Sequence, residues 1–290
     1  MPRLPGRHCL SCKSRAGAVV QANTNAYKKS SFGPAFLFLT KKQRRGLAVY
    51  YAFCRLMDDI ADEPNVPDPQ GQLNFWKEEI SRVYYGTPET ELGKDLALLV
   101  KTFRLPQDRL LLLIEGMEAD LQGRRYATFE ELEWYLYRVA VVVGLATLDI
   151  MNVDEKKSVP LSLALGCAVQ TTNIVRDVHE DARAGRVYLP EQLLQQYGLT
   201  FQDVLSNSQP QQLAKALAKM AQLSQVLYRK AGQALSGLPR RPALVCRIMG
   251  WVYRANLAKI EKAGFVFQDK IKLTRAEKLK NIVYALFKNL

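Results

Sequence analysis

The chain has 290 residues, 48% hydrophobic and 24% charged, enough for one substantial core with nothing that forces a split into two domains. No apolar run is expected to reach the ~18 to 20 residues needed to cross a bilayer, because the longest candidates are broken by charge. The net charge of +13 is unevenly placed: residues 1–57 hold eleven Lys or Arg and no acid, residues 254–290 hold nine against three, and the middle is close to neutral.

The basic ends form no aromatic-interleaved patch and no recognised reading helix, so nucleic acid is not expected as a partner. Anionic lipid head groups or a diphosphate substrate account for the bias equally well. The chain has two histidines, His8 and His179, which excludes Ser-His-Asp and Cys-His devices. It has neither the Gly-x-x-x-x-Gly-Lys loop that cradles phosphate nor a Gly-x-Gly-x-x-Gly after a strand. Five cysteines (Cys9, Cys12, Cys54, Cys167, Cys246) are an odd number at irregular spacing, and the last three lie in apolar surroundings. A reducing, cytoplasmic setting is expected.

In chain order, residues 1–26 read as a flexible basic leader. Were the leader an organelle transit segment, a plastid location would follow. Within it His8, Cys9 and Cys12 offer three soft ligands, and a zinc site would need a fourth from elsewhere. Residues 27–290 read as one helical domain. Apolar spacing of the i, i+3, i+4, i+7 kind predicts helices at about 41–62, 70–85, 89–103, 107–123, 128–151, 158–182, 189–196, 210–236, 240–263 and 274–288. Breaks are expected at 64–67, 86–88, 105–106, 158–160, 238–239 and 242, where proline and glycine cluster. With no strand ladder the fold class is all-α, its long apolar helices lining a central cavity.

Two acidic clusters stand out in this apolar background: Asp58-Asp59-Ile60-Ala61-Asp62 and Asp177-Val178-His179-Glu180-Asp181. Each places two aspartates four residues apart, so both carboxylates project from one helix face. At about 100° per residue Tyr51, Arg55, Asp58 and Asp62 share a stripe, and Gln170, Asn173, Asp177 and Asp181 share another with Arg176 beside it. One such pair alone is usually a solvated face. Two pairs, each inside an apolar stretch and each beside an arginine, would be costly to bury without a cation to offset them. Oxygen ligands on rigid helices suit Mg²⁺, with Mn²⁺ as an alternative, and Mg²⁺ completes its octahedron with phosphate oxygens. The chain is expected to grip a diphosphate.

The run Gln170-Thr171-Thr172-Asn173-Ile174-Val175-Arg176-Asp177-Val178-His179-Glu180-Asp181-Ala182-Arg183-Ala184-Gly185-Arg186-Val187-Tyr188-Leu189-Pro190 resembles the signature of the squalene and phytoene synthase family. Tyr51-Ala52-Phe53-Cys54-Arg55 leading into Asp58-Asp59-Ile60-Ala61-Asp62 is similar to its first aspartate motif. The resemblance runs from about Lys29 through the Tyr135 to Gly144 segment to Tyr253 and the basic end of the chain. It implies an isoprenoid synthase fold and a head-to-head (1′-1) condensation of two prenyl diphosphates through a cyclopropylcarbinyl diphosphate.

By the same resemblance Asp58, Asp62, Asn173, Asp177 and Asp181 would hold the metal, and Arg55, Arg176, Arg186, Tyr188 and Lys270 would contact diphosphate. Tyr51 and Tyr135 would line the reaction centre, and Ser31 and Phe32 would lie near the departing diphosphate. Phe36, Val139, Gly144, Gln170 and Tyr253 would complete the substrate surface. Lys270 stands where some relatives carry Arg, and His179 where Gly is common. Asp120 matches a frequent acidic position, and a surface role fits it equally well. Met117, Met151 and Met220 read as core filler.

A bulky Phe36 one turn beyond Phe32 would shorten the tunnel and favour farnesyl over geranylgeranyl units, while Ala48 pulls the other way by leaving room. Farnesyl diphosphate giving a presqualene diphosphate or squalene-type product is the favoured reading, with phytoene synthesis from geranylgeranyl diphosphate as its alternative. NADPH would be needed only if the reaction went on to squalene. An inactive family member serving as an assembly factor would be expected to have lost its aspartates. A monomer delivering product to a membrane surface is expected.

Overall fold

The computed structural model describes residues 38–63, 65–267 and 269–290. The leader with His8, Cys9 and Cys12, the residues Ser31, Phe32 and Phe36, and the break at Pro64 lie outside the described residues. Twelve α-helices and one π-helical turn follow in chain order among the described residues, with no strand. They are α1 (Lys41–Asp62), α2 (Pro69–Tyr85), α3 (Glu91–Phe103), α4 (Asp108–Leu121), α5 (Phe129–Leu136), the π-turn (Tyr137–Val141), α6 (Val142–Ile150), α7 (Glu155–Arg183), α8 (Glu191–Gln196), α9 (Phe201–Ser206), α10 (Pro210–Leu235), α11 (Arg240–Lys262) and α12 (Arg275–Phe287). The all-α expectation holds.

Starts are set by side-chain oxygens that accept otherwise orphaned backbone N–H groups. Thr40 accepts from Gln43 N at the head of α1, Thr90 from Gly93 N at α3, and Thr274 from Glu277 N at α12. α7 is the axial element. It packs against α6, α10, α11 and the π-turn, and on its inner side Thr172 Oγ1 meets Ser224 Oγ and Tyr228 OH, each at 2.9 Å. The core is continuous, with Phe53, Met57, Leu73, Ile114, Leu217 and Tyr228 fully enclosed.

Four expectations are corrected. The break at 158–160 does not occur: α7 starts at Glu155, capped by Asp154, and carries Pro160 inside it. Pro160 is exposed, so the Lys156 carbonyl that loses its intrahelical donor can be hydrated instead. The expected helix over 128–151 is divided by the π-turn, whose one extra residue leaves helical structure continuous on either side. α9 went unread because a single capped turn and a half is too short to show periodicity. Finally, α7 does meet the length and apolarity of a membrane span, but 56% of that window is buried inside the protein. It is a core helix.

Candidate active site

Along α1 the residues facing inward run Leu47, Tyr50, Tyr51, Cys54, Arg55, Asp58, Asp62, and along α7 they run Leu161, Leu165, Val169, Gln170, Asn173, Asp177, Asp181. Both sequences pass from apolar to acidic toward the helix C-terminus. They face one cavity of about 530 Å³, well within the size range of small-molecule sites. Leu113, Met117, Leu148 and Cys246 complete its apolar wall. Thus the acids gather at one end, and grease fills the rest.

Fifteen sequence-expected residues line that cavity together: Tyr51, Arg55, Asp58, Asp62, Tyr135, Val139, Gly144, Gln170, Asn173, Arg176, Asp177, Asp181, Arg186, Tyr188 and Tyr253. Lys270 is set apart from this wall. Its Nζ reaches Asp177 Oδ1 at 2.9 Å and Glu180 Oε2 at 2.8 Å, and it lines a smaller basic cavity with Lys272 and Lys278 that shares Arg176 and Tyr253 with the first. The small residues matter by what they admit. A β-carbon at Gly144 would come within 3.2 Å of Ser162 Oγ, and one at Gly166 would lie 3.1 Å from the Ala140 carbonyl and Val141 Cα. Gly166 therefore lets the π-turn lie directly on α7, and the turn aims Val139 and Ala140 into the cavity.

Each acidic cluster is held by cations. Arg176 clasps Asp177 in a two-pronged contact, Nε to Oδ1 at 2.7 Å and Nη2 to Oδ2 at 2.6 Å. Arg186, just past the end of α7, donates to Asp62 and to the Ala61 carbonyl (2.9 Å), and so ties the second cluster's helix to the first. Arg55 turns to Asp59 at 2.7 Å. Among the described residues Asp58 and Asp181 have no such clasp. Burial, then the neighbouring Asp62, pushes the Asp58 carboxyl up to about 7; burial, then Asp177, does the same to Asp181. Asn173 donates to Gln170 Oε1 at 3.0 Å, but its buried Oδ1 accepts no hydrogen bond. Among the described residues no three Asp, Glu, His or Cys side chains already converge on one point.

Asp120 on α4 is the residue that the sequence undervalued. A surface role is corrected: its carboxylate is buried and accepts from Tyr188 OH at 2.7 Å and from Tyr135 OH at 2.9 Å. Burial raises it to about 6 against those two donors. It acts electrostatically on both Asp58 and Asp181. Tyr126, Tyr135 and Tyr188 stack beside it, with ring centroids 5.0 to 6.4 Å apart. The Tyr188 hydroxyl is thus committed to Asp120. One signal was available: Leu113, Met117 and Asp120 recur at i, i+4, i+7 and all three face the cavity.

A site with carboxylates from two helices, three guanidinium groups and an interior lined by aromatic and aliphatic side chains is suited to binding a polyanion with a long apolar tail. The comparisons agree. The squalene/phytoene synthase family model matches residues 26–277. A presqualene diphosphate synthase of Rhodopseudomonas palustris is 34% identical over 253 residues, covering 86% of this chain and 90% of its own. A chloroplastic phytoene synthase of Solanum lycopersicum is 33% identical over 266 residues, covering 88% and 84%. The solved structure of a squalene synthase from Alicyclobacillus acidocaldarius superposes with a TM-score of 0.78 at 28% identity, covering 87% of this chain and 95% of that one. The chain belongs to the squalene/phytoene synthase family and is a prenyltransferase.

Proposed function

We propose that this enzyme joins two molecules of farnesyl diphosphate head to head, releasing one diphosphate and yielding a product of the presqualene diphosphate type. The observation that carries the reading is the grading of one cavity from apolar to acidic along both α1 and α7. The donor set fits a divalent cation: Asp58, Asp62, Asn173, Asp177 and Asp181 supply only hard oxygen, and the Asn173 Oδ1 lacks a donor in a buried position. Bound there, Mg²⁺ or Mn²⁺ would supply positive charge against the diphosphate.

The chain's own residues do the rest. Arg55, Arg176 and Arg186 are placed to transfer their hydrogen bonds from aspartate to diphosphate oxygens, stabilising the charge that appears as the allylic C–O bond breaks. Leu47, Leu113, Leu148 and Leu161 exclude water, which would otherwise capture the allylic cation. Tyr51 and Tyr135 line the cavity in which that cation would form, and aromatic rings favour positive charge. The C2=C3 bond of the second substrate then attacks, a proton is lost and the cyclopropane closes. No reductant is consumed to this point; onward conversion to squalene would need NADPH.

Similarity to the tomato phytoene synthase supports a second reading, with geranylgeranyl diphosphate as substrate. Incubation with Mg²⁺ and each labelled prenyl diphosphate, followed by extraction and mass measurement, decides between them. Farnesyl diphosphate is expected to give the thirty-carbon cyclopropyl diphosphate. Turnover of geranylgeranyl diphosphate alone would overturn the substrate, and no condensation product from either would overturn the activity.

A further inference from the structure

Large apolar side chains left exposed on this protein concentrate on one element. Leu279, Val283, Tyr284, Leu286 and Phe287 all belong to α12, with Leu279 62% and Phe287 79% exposed. At about 100° per residue Leu279, Val283, Leu286 and Phe287 fall within an arc of roughly 100°. They make an apolar stripe that faces away from the core.

The roll of the helix is fixed from its other side. Ala285 is fully buried, Lys259 Nζ on α11 holds the Glu277 carboxylate at 2.9 Å, and the Tyr284 ring stacks on Trp251 at 5.9 Å. Leu290 lies against Gly250 so closely that a β-carbon there would come within 2.5 Å of its side chain. Turning the stripe inward would break all of these contacts. Along α12 and the residue after it the exposed charged side chains have one sign: Arg275, Lys280 and Lys288. Glu277, the one acid of α12, is engaged by Lys259.

We infer that α12 is an interfacial docking surface for an anionic lipid bilayer. Its four apolar side chains enter the boundary between head groups and acyl chains, and the lysines and arginine flank them at the level of the lipid phosphates. Charge complementarity selects this occupant over a second copy of the chain. An isologous contact would set the cationic rim against itself, and a stripe one helix wide and about 12 Å long is too small for a stable dimer. The surface does not depend on which prenyl diphosphate the enzyme uses.

Flotation of the full chain with phosphatidylcholine vesicles, with and without phosphatidylglycerol, tests the inference. The wild type is expected to float with the anionic vesicles and to be released by salt. Combining Leu279→Ser, Val283→Ser and Phe287→Ser should lower the partition coefficient at least about tenfold, with circular dichroism and the thermal midpoint unchanged. Arg275→Gln and Lys280→Gln should each lower it about fivefold, and they provide the test if the apolar variant does not fold. The inference is overturned if the wild type stays unbound with both vesicles, or if neither variant class alters flotation. A wild-type dimer in sedimentation that the serine substitutions convert to monomer would overturn it equally.

Discussion

Asp58 and Asp177 carry the same side chain in motifs of the same spacing, yet their surroundings differ. Arg176 and Lys270 neutralise Asp177, whereas Asp58 faces burial and a second carboxylate and binds its proton far more tightly than usual. A buried acid that is uncomfortable when ionised costs stability in the absence of a cation, which is common where function sets the residue. Asp58→Asn is therefore expected to cut the condensation rate by about a hundredfold or more while the metal-free protein melts at the same or a higher temperature. Product quantification and calorimetry on one preparation check both halves, and retained activity would remove Asp58 from the machinery. At this scale the sequence was informative wherever chemistry sat on one helix: the stripes of α1 and α7 needed only periodicity. Asp120 could not be read so directly, since its worth depends on two tyrosines from elsewhere in the chain.

Helix positions followed from apolar spacing and from breaks at proline and glycine, and those that failed did so for physical reasons. The π-turn is invisible in Tyr137-Arg138-Val139-Ala140-Val141 because its one polar residue, Arg138, is half-buried against Glu115 and the Trp134 ring and so marks no change of face. Pro160 misled because proline breaks a helix only where the freed carbonyl cannot find another partner, and here Lys156 and Pro160 are both exposed to solvent. The corner between α2 and α3 was legible only as a Gly-Thr-Pro break, although a charged group holds it. Glu79 is fully buried at its carboxylate and accepts from Thr90 N (2.7 Å), Thr90 Oγ1 (2.9 Å), Glu89 N (2.9 Å) and Arg82 Nε (2.7 Å). Burial alone would raise its carboxyl, but Arg82 and the Thr90 and Glu89 donors together hold it below the ordinary value. A lowered folded pKa contributes stability above the unfolded value near 4.5, and that stability is lost as the pH falls through the folded value. Glu79→Gln should cost about 3 kcal/mol at neutral pH and flatten the acid limb of the thermal midpoint between neutral and strongly acidic buffer. An unchanged acid limb would show that this carboxylate does not govern the corner.

For the molecule as a whole, the cavity is an interface among α1, α4, the π-turn, α6, α7 and α11, so a ligand that fills it ties most of the bundle together. Anything bound only by the folded state raises stability by mass action, by about 2.7 kcal/mol at a hundred times its Kd. Mg²⁺ with inorganic diphosphate is expected to raise the thermal midpoint by about 5 °C, neither component alone to do as much, and a chelator to reverse the shift. Absence of any shift would contradict a paired metal and diphosphate site. Much of this was accessible from sequence because the two stripes on α1 and α7 need only line the same cavity. How closely the π-turn approaches α7 was not accessible, because Gly166 sets that separation through backbone contacts.

Arg176, Arg186 and Lys270 are placeholders. Each neutralises an aspartate in the unliganded protein; under the proposed function a metal diphosphate, which carries both signs of charge, would take over the carboxylates and leave the guanidinium and ammonium groups to phosphate. Such an exchange would hold the sum of charge at the cavity mouth nearly constant, and until then Asp62 and Asp177 are spared the repulsion that bare acids generate.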